Sequence, residues 1–122
     1  MKLGVIMDPI TGINIKKDST FAMLLAAQRR NWDLYYMEVS DLHLEDDKPC
    51  ARMRLLNVVD DPERWFTLHE DGTFPLAKLD TILMRKDPPF NMEYIYVTYM
   101  LELAEQAGVL VVNKPGSLRD AN

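Results

Sequence analysis

Short apolar runs alternate with polar stretches along the chain, and their spacing predicts strands alternating with helices. Leu3 to Met7 is nearly all apolar, which suits a central strand buried on both faces. Asp8-Pro9 ends it. Ile10 to Lys17 follows neither a helical nor a strand period, and Gly12 and Asn14 mark it as a loop. Asp18-Ser19-Thr20 then offers side-chain oxygens that accept bonds from free backbone amides, the chemistry of a helix start. Phe21, Leu24, Leu25 and Gln28 recur at i, i+3, i+4 and i+7. The first three make an apolar stripe, and Gln28, Arg29 and Arg30 place polar and positive groups at the far end. This predicts a helix over Ser19 to Arg30. Asp33 to Val39 reads as a second strand.

The middle of the chain is less regular. Asp41 to Pro49 is an acidic, turn-bearing excursion, and Arg52 to Val59 has the β-branched and apolar content of a strand. Asp61 to Phe66 reads as the start of a short helix with Pro62 at its first position. Asp71-Gly72 is a tight-turn signal. Thr81 to Met84 is again a buried-type strand. Arg85 to Phe90 leaves it through Pro88-Pro89, which forbid a helix and stiffen the loop. Asn91 suits a helix cap, and Tyr96, Met100, Leu103, Ala104 and Ala107 keep a helical period up to Gly108, a good stop. Val109 to Val112 is a last strand, and Asn113 to Gly116 turns away. The expected fold is therefore α/β: one open, mostly parallel sheet with helices on both faces, over residues 1–122 as a single domain.

Composition narrows the class. The 122 residues carry 14 Lys plus Arg against 19 Asp plus Glu, a net charge of −5. With a pI near 4.9, this is a poor non-specific nucleic-acid binder. Cys50 is the single cysteine, so no disulfide forms within the chain, in keeping with a reducing compartment. No apolar run approaches the roughly 20 residues of a membrane helix, and the first strand is too short for a signal peptide. A soluble, cytoplasmic protein is expected.

In open parallel sheets, ligands bind outside the carboxyl ends of the strands. That rule selects Asp8 to Asp18, the Val39 to Leu42 corner, Arg85 to Phe90 and Asn113 to Gly116. Arg85 is the strongest single residue. A guanidinium just past a buried strand grips a carboxylate through two parallel bonds; the plain alternative is a tie to Asp87 or to solvent. Lys86 is turned the other way by strand alternation. Read locally, Asp18 and Ser19 are helix caps and Asn14 a turn residue. The five glycines make neither a dinucleotide fingerprint nor a Walker loop. His43 and His69 lack partners at metal-ligand spacing. Cys50 has Lys48 and Arg52 nearby, which favour a thiolate, yet the incidental reading is preferred. Tyr94, Tyr96 and Tyr99 read as core and groove lining, and Trp32 and Trp65 as packing at element ends.

Three segments together resemble bacterial-type glutathione synthetase. The first is Met7-Asp8-Pro9-Ile10, then Ile13-Asn14-Ile15-Lys16-Lys17-Asp18-Ser19-Thr20-Phe21-Ala22-Met23-Leu24, then Ala27-Gln28-Arg29-Arg30. The second is Met84-Arg85-Lys86-Asp87-Pro88-Pro89-Phe90. The third is Val112-Asn113-Lys114-Pro115 with Ser117-Leu118-Arg119-Asp120. They fall in the family's order, and Asp41 to Phe74 is the least family-like stretch. The resemblance implies a Rossmann-like pre-ATP-grasp domain of an ATP-grasp ligase. Such an enzyme joins glycine to γ-glutamylcysteine, giving glutathione, ADP and phosphate, and uses ATP and Mg²⁺ held by later, C-terminal ATP-grasp domains. It implies a homotetramer for the whole enzyme. Carried over by motif, Arg85 contacts the peptide, Asp18 and Ser19 face the same cleft, and Asn14 is a weaker member. No catalytic, cofactor or metal residue is expected within these 122 residues, and a fragment is expected, inactive on its own. Two alternatives stand beside this one: a domain of another ATP-grasp amino-acid ligase, and a stand-alone flavodoxin-like module binding a small ligand.

Overall fold

The computed structural model describes residues 1–13, 19–85 and 92–113. In chain order the elements are β1 (Lys2–Ile6), α1 (Ser19–Arg29), β2 (Asp33–Met37), β3 (Leu42–Glu45), β4 (Lys48–Val58), β5 (Phe66–Pro75), β6 (Thr81–Met84), α2 (Met92–Gln106) and β7 (Leu110–Asn113). They form one seven-stranded sheet, ordered β3-β4-β2-β1-β6-β7, with β5 on β4. β2, β1, β6 and β7 are parallel neighbours, as the alternating pattern predicts.

Side-chain alternation along the parallel strands builds two cores. Leu3, Val5, Leu34, Tyr36 and Leu83 lie on one face, under Phe21, Leu24 and Ala27 of α1. Ile6, Met37, Ile82 and Met84 lie on the other, under Val97, Met100, Leu101 and Ala104 of α2. Helices thus cover both faces. Gly4 belongs to the α2 face: a Cβ there would sit 2.5 Å from Leu79 Cδ1 and 2.7 Å from Met37 Cε. α1 stops at Asn31, which takes the left-handed conformation with φ 64°. Its amide bonds the Gln28 carbonyl at 2.9 Å, answering a helix-end acceptor. Gly108, at φ 100°, does the same for α2.

The region between β2 and β6 departs from expectation. It is an antiparallel wing, not an irregular insert. β4 is its spine: residues 54–56 pair with β2, residues 48–51 with β3, and the opposite edge with β5. The β3–β4 turn is made by Asp46 and Asp47, both left-handed, inside the excursion expected to hold a turn. No helix forms over Asp61 to Phe66. That segment is the β4–β5 connection, closed by the Val59 amide on the Trp65 carbonyl at 2.8 Å. Trp65 is drawn into the α1 core, edge-on to Phe21 at 5.5 Å. Asp71-Gly72 is not a turn either. It lies within β5, where the ladder with β4 shifts register between Arg54 and Leu55, and such a bulge accommodates a turn-prone pair without ending the strand.

One further expectation is corrected, and the preferred reading of Cys50 stands. Among the α2 residues whose burial is described, Val97, Met100, Leu101 and Ala104 are buried, whereas Tyr96 and Tyr99 are 53% and 51% exposed, beside Ile95, and do not line the core. Cys50 is buried on β4, and burial, then Glu45, pushes its thiol upward, outweighing Lys48. It is a packed thiol and not an activated one.

Candidate functional site

The carboxyl edge of the parallel strands gathers the polar groups. Beyond the last residues of β1 and its neighbours, two more backbone bonds extend the ladder: the Met7 amide to the Met37 carbonyl at 3.2 Å, and the Arg85 amide to the Ile6 carbonyl at 2.8 Å. Since Ile6 is in register with both Met37 and Met84, Glu38, Met7 and Arg85 stand in a row one step further on. Alternation puts that row on the α1 face.

There Arg85 meets the start of α1. Its Nε donates to Thr20 Oγ1 at 3.0 Å, and its Nη2 donates to Ser19 Oγ at 2.7 Å. Thr20 is 4% exposed, the one polar residue in the described core, while Arg85 is half-buried and Ser19 exposed. The first-turn amides of α1 add partial positive charge beside the guanidinium. The corner therefore favours an anion.

A second cluster lies beside it. The Tyr36 hydroxyl accepts a bond from the Ile10 amide at 3.1 Å and donates to Glu38 Oε2 at 2.6 Å. Arg54 on β4 stands 3.7 Å from that carboxylate, with its guanidinium over the Tyr36 ring at 4.9 Å. Burial, then the bond to Glu38, holds the phenol well above the ordinary tyrosine range. The cluster pins the turn Ile10–Gly12 that leaves β1. Sequence reasoning missed it because Tyr36 reads as one more apolar strand residue. The available signal was Tyr-x-Glu at a strand's carboxyl end, two side chains on one face.

Of the expected site residues, Arg85 and Ser19 are brought together. Asp18 and Asn14 lie outside the described residues, as do 86–91 and 114–122. A cleft of about 420 Å³ opens elsewhere, between Trp32, Asp33, Asn57 and His69. It lies at the amino end of β2, the opposite end of the sheet from Arg85, so it does not belong to this site. No group of three or more His, Cys, Asp or Glu side chains placed to hold a metal ion occurs among the described residues.

An open, mostly parallel α/β sheet with helices on both faces, and with Arg85 and the start of α1 at its carboxyl edge, defines a Rossmann-like domain. The particular family follows from comparison: the chain matches the model of the prokaryotic glutathione synthetase N-terminal domain over residues 1–119, and it belongs to that family. It is 62% identical over all 122 residues to a glutathione synthetase of Pseudomonas putida, covering 38% of that protein. It is 59% identical to those of Photorhabdus laumondii and Coxiella burnetii, covering 39% and 38% of them. The chain thus spans well under half the length of these relatives.

Proposed function

We propose that this chain forms one wall of the peptide-substrate cleft in a glutathione synthetase. In this reading the full-length protein joins glycine to γ-glutamylcysteine. The supporting observation is the Arg85 guanidinium, set at the carboxyl edge of the sheet by Ser19 and Thr20 in a chain of this family. Its part is to bind and orient a carboxylate of the peptide, so that the cysteinyl carboxylate is presented to the remaining domains. Orientation of this kind contributes by removing translational and rotational freedom before reaction. Asp18 and Ser19 are assigned to the same cleft by motif, with Asn14 a weaker member. ATP, with Mg²⁺, supplies the activation of the cysteinyl carboxylate, and both are held by the C-terminal ATP-grasp domains. The working enzyme is a cytoplasmic homotetramer.

Arg85→Ala in the full-length protein tests this. The KM for γ-glutamylcysteine is expected to rise at least about tenfold, the loss of one charge-assisted contact, with the KM for ATP unchanged. Unaltered peptide kinetics would remove Arg85 from the cleft. Preference for another dipeptide over γ-glutamylcysteine would assign the chain to a different amino-acid ligase of the same superfamily.

A further inference from the structure

A guanidinium carries five N–H groups on a rigid plane. In Arg85, Nε and one hydrogen of Nη2 form one edge of that plane, and both go to hydroxyls of α1. No described group takes the other three. A half-buried arginine with a purely structural role is usually neutralised by a carboxylate, because desolvating an unpaired charge is costly. Here both described side-chain partners are neutral oxygens. They fix the plane and carry no charge of their own.

We infer that Thr20, acting with Ser19, is a positioning residue for substrate binding: the hydroxyl pair occupies the Nε/Nη2 edge of Arg85 and reserves the Nη1/Nη2 edge for a bidentate grip on the peptide carboxylate. This inference rests on the reading of Arg85 given above. Thr20 is the stronger half of the pair. Its hydroxyl is buried, where a hydrogen bond does not compete with water, and its branched Cβ restricts χ1. Ser19 is exposed, and its bond is correspondingly weaker. Without the pair the long side chain samples many rotamers, and the ligand must order it on binding, which lowers affinity. A lysine in place of Arg85 has no second edge to be held by, so the arrangement demands arginine.

The test uses the full-length protein and four variants: Arg85→Ala, Thr20→Val, Thr20→Ser and the double variant Arg85→Ala/Thr20→Val. Thr20→Val keeps the shape and removes the acceptor. The expected result is a rise of about tenfold in the KM for γ-glutamylcysteine, equal to ~1.4 kcal/mol, with the KM for ATP unchanged. Thr20→Ser is expected to restore most of the loss. In the Arg85→Ala background, Thr20→Val is expected to add nothing, because the group it positions is gone. If Arg85→Ala raises the peptide KM and Thr20→Val does not, the positioning role is overturned while the cleft assignment stands. If Thr20→Val shifts the KM for ATP and for the peptide alike, its role is structural and the inference falls. An Arg85→Ala enzyme with normal peptide KM overturns both. Should Thr20→Val fail to fold, Ser19→Ala, at an exposed position, carries the same comparison, and an unchanged peptide KM there overturns the hydroxyl pair.

Discussion

Tyr36 is the most burdened single residue in the molecule. Its phenol is buried, accepts from one backbone amide and donates to a carboxylate, so the fold favours the protonated form. The folded protein therefore keeps this proton to higher pH than the unfolded chain does. The stability this contributes is fully present below the unfolded value of about 10 and is lost as pH rises beyond it. Tyr36→Phe is expected to cost about 1–2 kcal/mol at neutral pH through the lost bonds. The gap to the parent should then narrow as pH rises from about 9 to 11, because the variant has no phenol to deprotonate. Urea unfolding across that range measures the gap, and a constant difference would show that the phenol is not under this load. At this scale legibility was uneven. Arg85 and Ser19 could be read from strand-end position and cap chemistry. Thr20 could not be told from any second helix residue, nor Tyr36 from an apolar strand position, because partners 65 and 26 residues away define them.

At the scale of elements, α1 is fastened at both ends. Ser19 and Thr20 hold Arg85 at its start, and near its end Gln28 grips β4 twice. Gln28 Nε2 donates to the Val58 carbonyl at 2.5 Å, and its Oε1 accepts from the Val58 amide at 2.8 Å. Gln28→Ala leaves two backbone groups of a buried strand residue without those partners. Stability is expected to fall by about 1–3 kcal/mol, with the peptide KM unchanged, and denaturant titration beside steady-state kinetics checks both halves. The parallel strands and α1 were legible because each is a short apolar run or stripe between breakers. β5 was not, because Phe66–Pro75 carries polar residues along an outer strand and contains Asp71-Gly72, which imitates a hairpin turn. The expected short helix at Pro62 does not form for a related reason: local chemistry favours a helix start, but Trp65 is claimed by Phe21 across the fold and stacks edge-on to its neighbour Phe66.

For the molecule as a whole, the question is whether the antiparallel wing is an appendage or part of the main unit. β4 argues for the second. Leu56 and Val58 enter the core under α1, whereas Ala51 and Met53 enter the core under α2. One strand thus serves both layers, as β1 does. Residues 1–122 made as a separate polypeptide are expected to unfold in one transition. Trp32 and Trp65 report the α1 layer, and Cys50, the only thiol, reports the wing. Tryptophan fluorescence and thiol labelling in denaturant should share a midpoint. A wing that opens first would separate the two probes and mark β3 to β5 as an independent module.

The distance along the chain between the two halves of the arginine clasp has a consequence for synthesis. Ser19 and Thr20 precede Arg85 by 66 and 65 residues. At ribosomal rates of about 5–20 residues per second, the hydroxyls leave the ribosome roughly 3–13 s before the cation they hold. A nascent chain thus displays the receiving end of α1 before the guanidinium exists. On the proposed reading of Arg85, a peptide ligand could not select early intermediates; it would act only once β6 has docked beside β1, and would then stabilise the finished domain by mass action.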